Sequence, residues 1–170
     1  MFFESIALVT GGFDPVHSGH IKYFENAKKL SDCLVVGLNS DEWLINKKGQ
    51  YFQTWKERAN IISHLDMVNI VIDWDDSDNS ACRAIQKCFQ LTNKIYFANG
   101  GDRSSDNTPE LKRYALDPRV EFVWSVGGDN KLNSSSWILD KYYQDRELIT
   151  DDRLKLSNVN DEKCGSLQHF

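Results

Sequence analysis

A chain of 170 residues with 41% apolar residues can bury the core of a single domain, and its net charge of −5 argues against general nucleic-acid binding, which needs clustered Lys and Arg. The opening run MFFESIALVT is too short and acidic for a signal peptide, and no apolar stretch approaches membrane-spanning length. Cys33, Cys82, Cys88 and Cys164 show neither CxxC nor zinc-like spacing, so reduced thiols in a cytoplasmic protein are the expectation.

In chain order, Ile6 to Val9 is a short apolar run that reads as a buried strand. It breaks at Gly11-Gly12, where the backbone can turn tightly and approach a ligand. His17-Ser18-Gly19-His20 then opens a helical pattern carried by Ile21, Phe24, Ala27 and Leu30. Cys33 to Leu38 reads as a central strand, Asp41 to Leu44 as a short helix, and Lys47-Lys48-Gly49-Gln50 as a basic loop. Thr54 and Glu57 form a capping-box pattern at the head of a helix running to Leu65. Val68 to Ile72 is a third strand, followed by the acidic run 73–78 and a helix with an apolar stripe from Ala81 to Leu91.

Ile95 to Ala98 is the fourth strand, closed by Asn99-Gly100-Gly101-Asp102-Arg103. Thr108-Pro109-Glu110 starts a helix with Pro at its first position. Val120 to Trp124 is the fifth strand, and Ser134-Ser135-Ser136 precedes a helix through Trp137, Ile138 and Tyr142. Strands alternating with helices predict an α/β, Rossmann-like, doubly wound parallel sheet of five strands with helices on both faces. The expected organisation is one domain over 1–150 and a polar tail over 151–170, where the pattern fades.

In such sheets ligands bind beyond the carboxyl ends of the strands. The segments after the first, fourth and fifth strands, GGFDPVHSGH, NGGDR and GGDNKLNSSS, are all glycine-bearing and polar, which suits one phosphate-binding pocket. At the first of them, strand, glycine turn and helix N-terminus aim N–H groups and a positive dipole end at an anion. His17 and His20 can face the same ligand with Gly19 leaving room between them. Three hydroxyls at 134–136 can both cap a helix and donate to phosphate oxygens.

Gly-Gly-Phe-Asp-Pro followed by His-x-Gly-His resembles the cytidylyltransferase-like nucleotidyltransferases, a group that includes heptose-phosphate adenylyltransferases and glycerol-3-phosphate cytidylyltransferases. The resemblance covers roughly residues 5 to 147. It implies transfer of a nucleoside monophosphate from ATP or CTP to a small sugar or polyol phosphate, with pyrophosphate released. It also implies His17 and His20 at the α-phosphate, with Gly11, Gly12, Phe13, Asp14 and Gly19 in the nucleotide-binding loop, Asp14 orienting it. Asn99, Gly101 and Asp102 would contact base and ribose, and Ser134, Ser135 and Ser136 the β- and γ-phosphates. Lys47 or Lys48 matches a lysine reaching the triphosphate or the acceptor phosphate, and Arg58 an arginine that binds the acceptor phosphate. Mg²⁺ would be held mainly by the triphosphate, and a homodimer is an expectation by analogy.

One stretch departs from the family. Relatives carry Arg-Thr-x-Gly before the Ser/Thr motif, where this chain has Asp129-Asn130-Lys131-Leu132, so Lys131 or Arg103 would have to supply the positive charge. Two other readings compete with the transferase. One is a nucleotide-binding sensor without catalysis. The other is a metal-dependent hydrolase built on His17, His20 and Asp14 or Asp102, for which the ligand set is thin.

Overall fold

The structure, a computed structural model, describes residues 2–100, 108–127 and 134–146. The chain separates into two compact units, Met1–Asn133 and Ser134–Phe170. Within the first unit, the strands and helices of the described residues all precede residue 124.

In the first unit, β1 (Ile6–Gly11), β2 (Leu34–Leu38), β3 (Ile70–Ile72), β4 (Ile95–Ala98) and β5 (Val120–Val123) form one sheet in the order β3-β2-β1-β4-β5. All four pairings are parallel. Successive β1 residues point to opposite faces, so both faces must be covered. Ile6 and Leu8 pack with Ala84, Ile85 and Cys88 of α4 (Cys82–Cys88) and with Tyr114 of α5 (Pro109–Tyr114). Ala7 and Val9 pack on the other face with Phe24 and Ala27 of α1 (Ser18–Lys28) and Ile62 of α3 (Trp55–Ser63). The doubly wound parallel sheet read from the sequence is therefore the architecture observed.

The departures are local. The basic stretch at Lys47-Lys48 is not a loop but the last turn of α2 (Asp41–Lys48). Two lysines complement the carboxyl end of the helix dipole, and Gly49, at φ 83°, closes it in the left-handed conformation open to glycine. α2 begins at Ser40, whose hydroxyl accepts from the Trp43 N–H and donates to buried Asp76. β3 begins at Ile70 because Val68 is held in a turn by the Leu65 carbonyl. α4 has no side-chain cap of its own, and the carboxylate of buried Glu110 from α5 accepts the Ala81 N–H instead. The Thr54 cap forms as expected, accepting from the Glu57 N–H at 3.3 Å.

In the second unit, residues 135–146 are helical, and the Ser134 carbonyl accepts the first helical bond from Ile138 at 3.1 Å. No helix among the described residues is long and apolar enough to cross a membrane.

Candidate active site

The sheet order places a switch point between β1 and β4, where the connections leave in opposite directions and open a crevice beyond the strand ends. Gly11-Gly12 leaves β1 there, and Asn99-Gly100 leaves β4. α1 is fastened across this edge. The Tyr23 hydroxyl donates to the Ala98 carbonyl at 2.5 Å, and the Asn26 amide donates to the Val126 carbonyl at 3.0 Å. A Cβ at Gly100 would sit 3.4 Å from the Tyr23 ring, so the β4 loop runs close against α1.

His17 is the N-cap of α1, and its Nδ1 accepts the Gly19 N–H at 3.1 Å. The His17 N–H in turn donates to Nδ1 of His20 at 3.3 Å. Each Nδ1 is thus an acceptor, which fixes the ring proton on Nε2 and makes each ring a donor from its far side. The two rings stack with centroids 3.6 Å apart and planes 24° from parallel. Capping and anion binding are therefore not rival uses of these residues, because they employ opposite ring nitrogens.

Burial pushes the His20 pKa down to about 3, with His17 and then Lys48 adding repulsion. His20 is accordingly a neutral donor at physiological pH. The sign for stability follows: the unfolded ring takes up a proton near its ordinary pKa of 6.5, whereas the folded ring resists protonation down to about 3. Stability should be unaffected by this group above the higher value and fall as the pH drops between the two. At about pH 5.5 the loss should be on the order of 1 kcal/mol relative to neutral pH. Urea unfolding of wild type and His20→Gln at both pH values checks this, since the variant should lose that part of the pH dependence.

Phe13, expected in the nucleotide-binding loop, is buried. Its φ of 47° is unusual for an aromatic residue and turns the ring inward, where it meets His20 and Phe24 edge-on, each at 5.0 Å between centroids. A Cβ at Gly11 would lie 2.9 Å from that ring, so the first glycine of the turn makes room for Phe13. Asp14 is buried, and its two carboxylate oxygens accept the N–H groups of Phe52 at 2.6 Å and Gln53 at 2.8 Å. It joins the glycine turn to the segment before α3, the arrangement of a residue that orients the loop.

Arg58, expected at the acceptor phosphate, is 0% exposed. Its guanidinium donates to the Gln53 carbonyl at 3.1 Å, the Gly12 carbonyl at 2.7 Å and the Asp41 carboxylate at 2.6 Å. The residue is a clamp between the glycine turn, α2 and the head of α3. Asn99 is also turned inward: its amide donates to the Phe97 carbonyl, while its backbone bonds to Val123 and Val126.

The two lysines separate. Lys47 lies over the Trp43 ring, 4.7 Å from its centroid. Lys48 is exposed as a residue, yet the surroundings of its ammonium lower its pKa: desolvation is the main cause, Asp14 opposes it, and Lys47 and Arg58 add to it. Its charge also acts on His20, so Lys48 is the lysine electrostatically joined to the histidine loop. Lys48→Ala should lower turnover about tenfold, as expected for losing a charged contact to phosphate, with Lys47→Ala far milder. Initial rates of pyrophosphate release for the two variants decide between them.

Gly101, Asp102 and Arg103, and the departing stretch Asp129 to Leu132, lie outside the described residues. Ser134, Ser135 and Ser136 belong to the second unit, at the head of its helix. Sequence reasoning missed Tyr23, Asn26 and Asp76. Tyr23, three residues after His20, could have been placed on the inward side of α1 by helical spacing. Nothing marked Asp76 within its acidic run, although it alone accepts from the Asn39 amide, the Ser40 N–H and the Ser40 hydroxyl.

Paired Nε2–H donors at the head of a helix, set on the switch point of a parallel sheet, put the protein in the class of Rossmann-like nucleotidyltransferases. Within that class the chain belongs to the cytidylyltransferase-like family, whose pattern matches residues 8–154. It is 33% identical over 143 residues to the bifunctional protein HldE of Pelobacter propionicus, covering 82% of this chain and 28% of that protein. Against the bifunctional protein HldE of Geobacter metallireducens it is 31% identical over 144 residues, with the same 82% and 28% covered. The chain thus spans little more than a quarter of the length of these relatives. Among solved structures it is similar to a lipopolysaccharide core biosynthesis protein from Thermoplasma volcanium, at TM-score 0.56 and 26% identity, over 72% of this chain and 96% of that one.

Proposed function

We propose that the chain transfers a nucleoside monophosphate from ATP or CTP to a small phosphate monoester, a sugar or polyol phosphate, and releases pyrophosphate. The observation that carries this reading is the histidine pair, whose Nδ1 atoms are occupied by N–H groups so that both rings donate through Nε2. An acceptor phosphate oxygen attacks the α-phosphorus in line. The bond from α-phosphorus to the bridging oxygen breaks, and the electron pair leaves on pyrophosphate. No nucleophilic side chain is needed, because the acceptor brings its own anion. His17 and His20 donate to the α-phosphate oxygens as charge builds there, and Lys48 balances phosphate charge across from them.

A Mg²⁺ ion fits this site as a passenger on the triphosphate. The carboxylates nearest the turn, Asp14 and Asp41, are engaged by N–H groups and by Arg58. Among the described residues no group of three or more His, Cys, Asp or Glu side chains is placed to hold a metal. When bound, the ion would neutralise phosphate charge while keeping most of its waters. A sugar-containing acceptor suits the similarity to a lipopolysaccharide core biosynthesis protein and to bifunctional HldE proteins.

The test is pyrophosphate release from ATP, CTP, GTP and UTP with Mg²⁺, each with a panel of sugar and polyol phosphates. Acceptor-dependent release with one nucleotide is expected. A nucleotide that raises the melting temperature but yields no pyrophosphate with any acceptor would instead mark a sensor.

A further inference from the structure

β1 is paired with β2 through Gly11 and Leu38, but with β4 only as far as Leu8 and Phe97. Beyond that pair the two central strands part, and the crevice of the switch point begins. The backbone groups of successive strand residues point to alternate sides of the strand. Asn99 directs its N–H to Val123 and its carbonyl to Val126, both on the β5 side. The carbonyl of Ala98, one residue earlier, therefore faces the gap left by β1. A buried carbonyl needs a partner. Here a side chain supplies it: the hydroxyl of Tyr23, itself buried, donates to Ala98 at 2.5 Å.

Other contacts converge on the same turn of α1. A Cβ at Gly100 would stand 3.4 Å from the Tyr23 ring, and one at Gly127 3.8 Å from the Tyr23 Cβ. The segments leaving β4 and β5 thus both pass against this side chain. Three residues further along, the Asn26 amide donates to the Val126 carbonyl at 3.0 Å, and the Val126 N–H donates to the Asn99 carbonyl at 3.0 Å. Apolar packing of Phe24 and Ala27 holds α1 on the sheet, but that attraction is non-directional. The two hydrogen bonds, by contrast, fix where the head of α1 stands relative to the end of β4.

We propose that Tyr23 is a positioning residue for the nucleotide, setting the distance across the crevice between the histidine head of α1 and the end of β4, with Asn26 as a second tie. This inference rests on the transfer reading above, in which the nucleotide lies between these two walls. Tyr23 stands three residues after His20 on the helix that His17 caps, so it acts through the donor rings rather than on the phosphate. A nucleotide held from both walls loses contact with one of them when the spacing changes, and its α-phosphate then sits off the line of the Nε2 donors.

A second buried tyrosine supplies the control. Tyr114 donates its hydroxyl to the Cys82 carbonyl at 3.1 Å, within the core on the opposite face of the sheet. Tyr23→Phe and Tyr114→Phe each delete one buried hydroxyl and keep the ring, so both should lower the urea midpoint by a similar amount. The experiment measures Kd for ATP and for CTP with Mg²⁺, together with nucleotide kcat/KM and the KM of a sugar or polyol phosphate. For the nucleotide that wild type binds more tightly, Kd should rise about tenfold in Tyr23→Phe and kcat/KM should fall at least as far. The acceptor KM should stay within about twofold, and Tyr114→Phe should match wild type in all three values. Asn26→Ala, at a half-buried position, should raise the nucleotide Kd about threefold. A nucleotide Kd within twofold of wild type in Tyr23→Phe overturns the proposal and leaves the transfer reading intact, as does an equal loss in Tyr114→Phe. Should Tyr23→Phe fail to fold, an unchanged Kd in Asn26→Ala overturns it instead. Wild type that binds a nucleotide yet releases no pyrophosphate with any acceptor overturns the transfer reading alone, and the Kd values still decide this inference. Wild type that binds neither ATP nor CTP overturns both.

Discussion

Replacing His20 by alanine should slow pyrophosphate release by about a hundredfold or more, and His17→Ala should do the same, because each removes a preorganised donor aimed at developing charge. Alanine alone does not separate chemistry from capping, since both rings also satisfy backbone N–H groups at the head of α1. The amide variants of His20 do separate them. Asparagine puts its oxygen near the position of Nδ1, so His20→Asn keeps the acceptor for the His17 N–H but lacks a donor at Nε2. Glutamine reaches the Nε2 position with an N–H and gives up the cap. If the donor carries the effect, His20→Gln should be the more active of the pair and His20→Asn the more stable. Near-normal rates in both alanine variants would remove the histidines from the mechanism altogether. Phe13 bears on the same result from below, because its inward ring is what His20 rests on. A smaller residue at 13 should loosen His20.

The fold was legible because each of its signals is local. The β-branched run Val35-Val36, the helical spacing of Phe24 and Ala27, and the caps at Ser40, Thr54 and Thr108 each specify an element within one short window. Parallel pairing then follows from the alternation of strand and helix. The histidine caps are local in the same way, made among His17, Gly19 and His20, whereas Asp14 bonds N–H groups 38 and 39 residues away. What escaped depends on partners distant in sequence. Arg58 looks like any exposed helical arginine until α2 and the glycine turn are folded around it, 17 and 46 residues away. The Lys47-Lys48 pair reads as a loop in the sequence because the glycine after it suits a turn and a helix stop equally, and it is the last turn of α2. Only the folded helix shows Lys47 over Trp43 and Lys48 acting electrostatically on His20.

Arg58→Ala should therefore destabilise the protein rather than merely weaken acceptor binding, by about 3–5 kcal/mol, the usual cost of breaking a buried, hydrogen-bonded charge pair from one side. The side chain is the largest of those fully buried among the described residues, so its removal also leaves a void between the glycine turn and α3. Two carbonyls lose their donor, those of Gly12 and Gln53, and Asp41 loses its counter-ion. Asp41 itself retains 25% exposure and can recover water, so Asp41→Asn, which keeps an acceptor for the guanidinium, should cost only about 1–2 kcal/mol. The asymmetry between the two partners is the mark of a clamp. A ligand for substrate phosphate would behave the other way, raising the acceptor KM in Arg58→Ala while leaving the urea midpoint where it was. A lowered midpoint with the milder Asp41→Asn following the same trend places Arg58 behind the site, holding the Gly12 turn against which His17 and His20 are set.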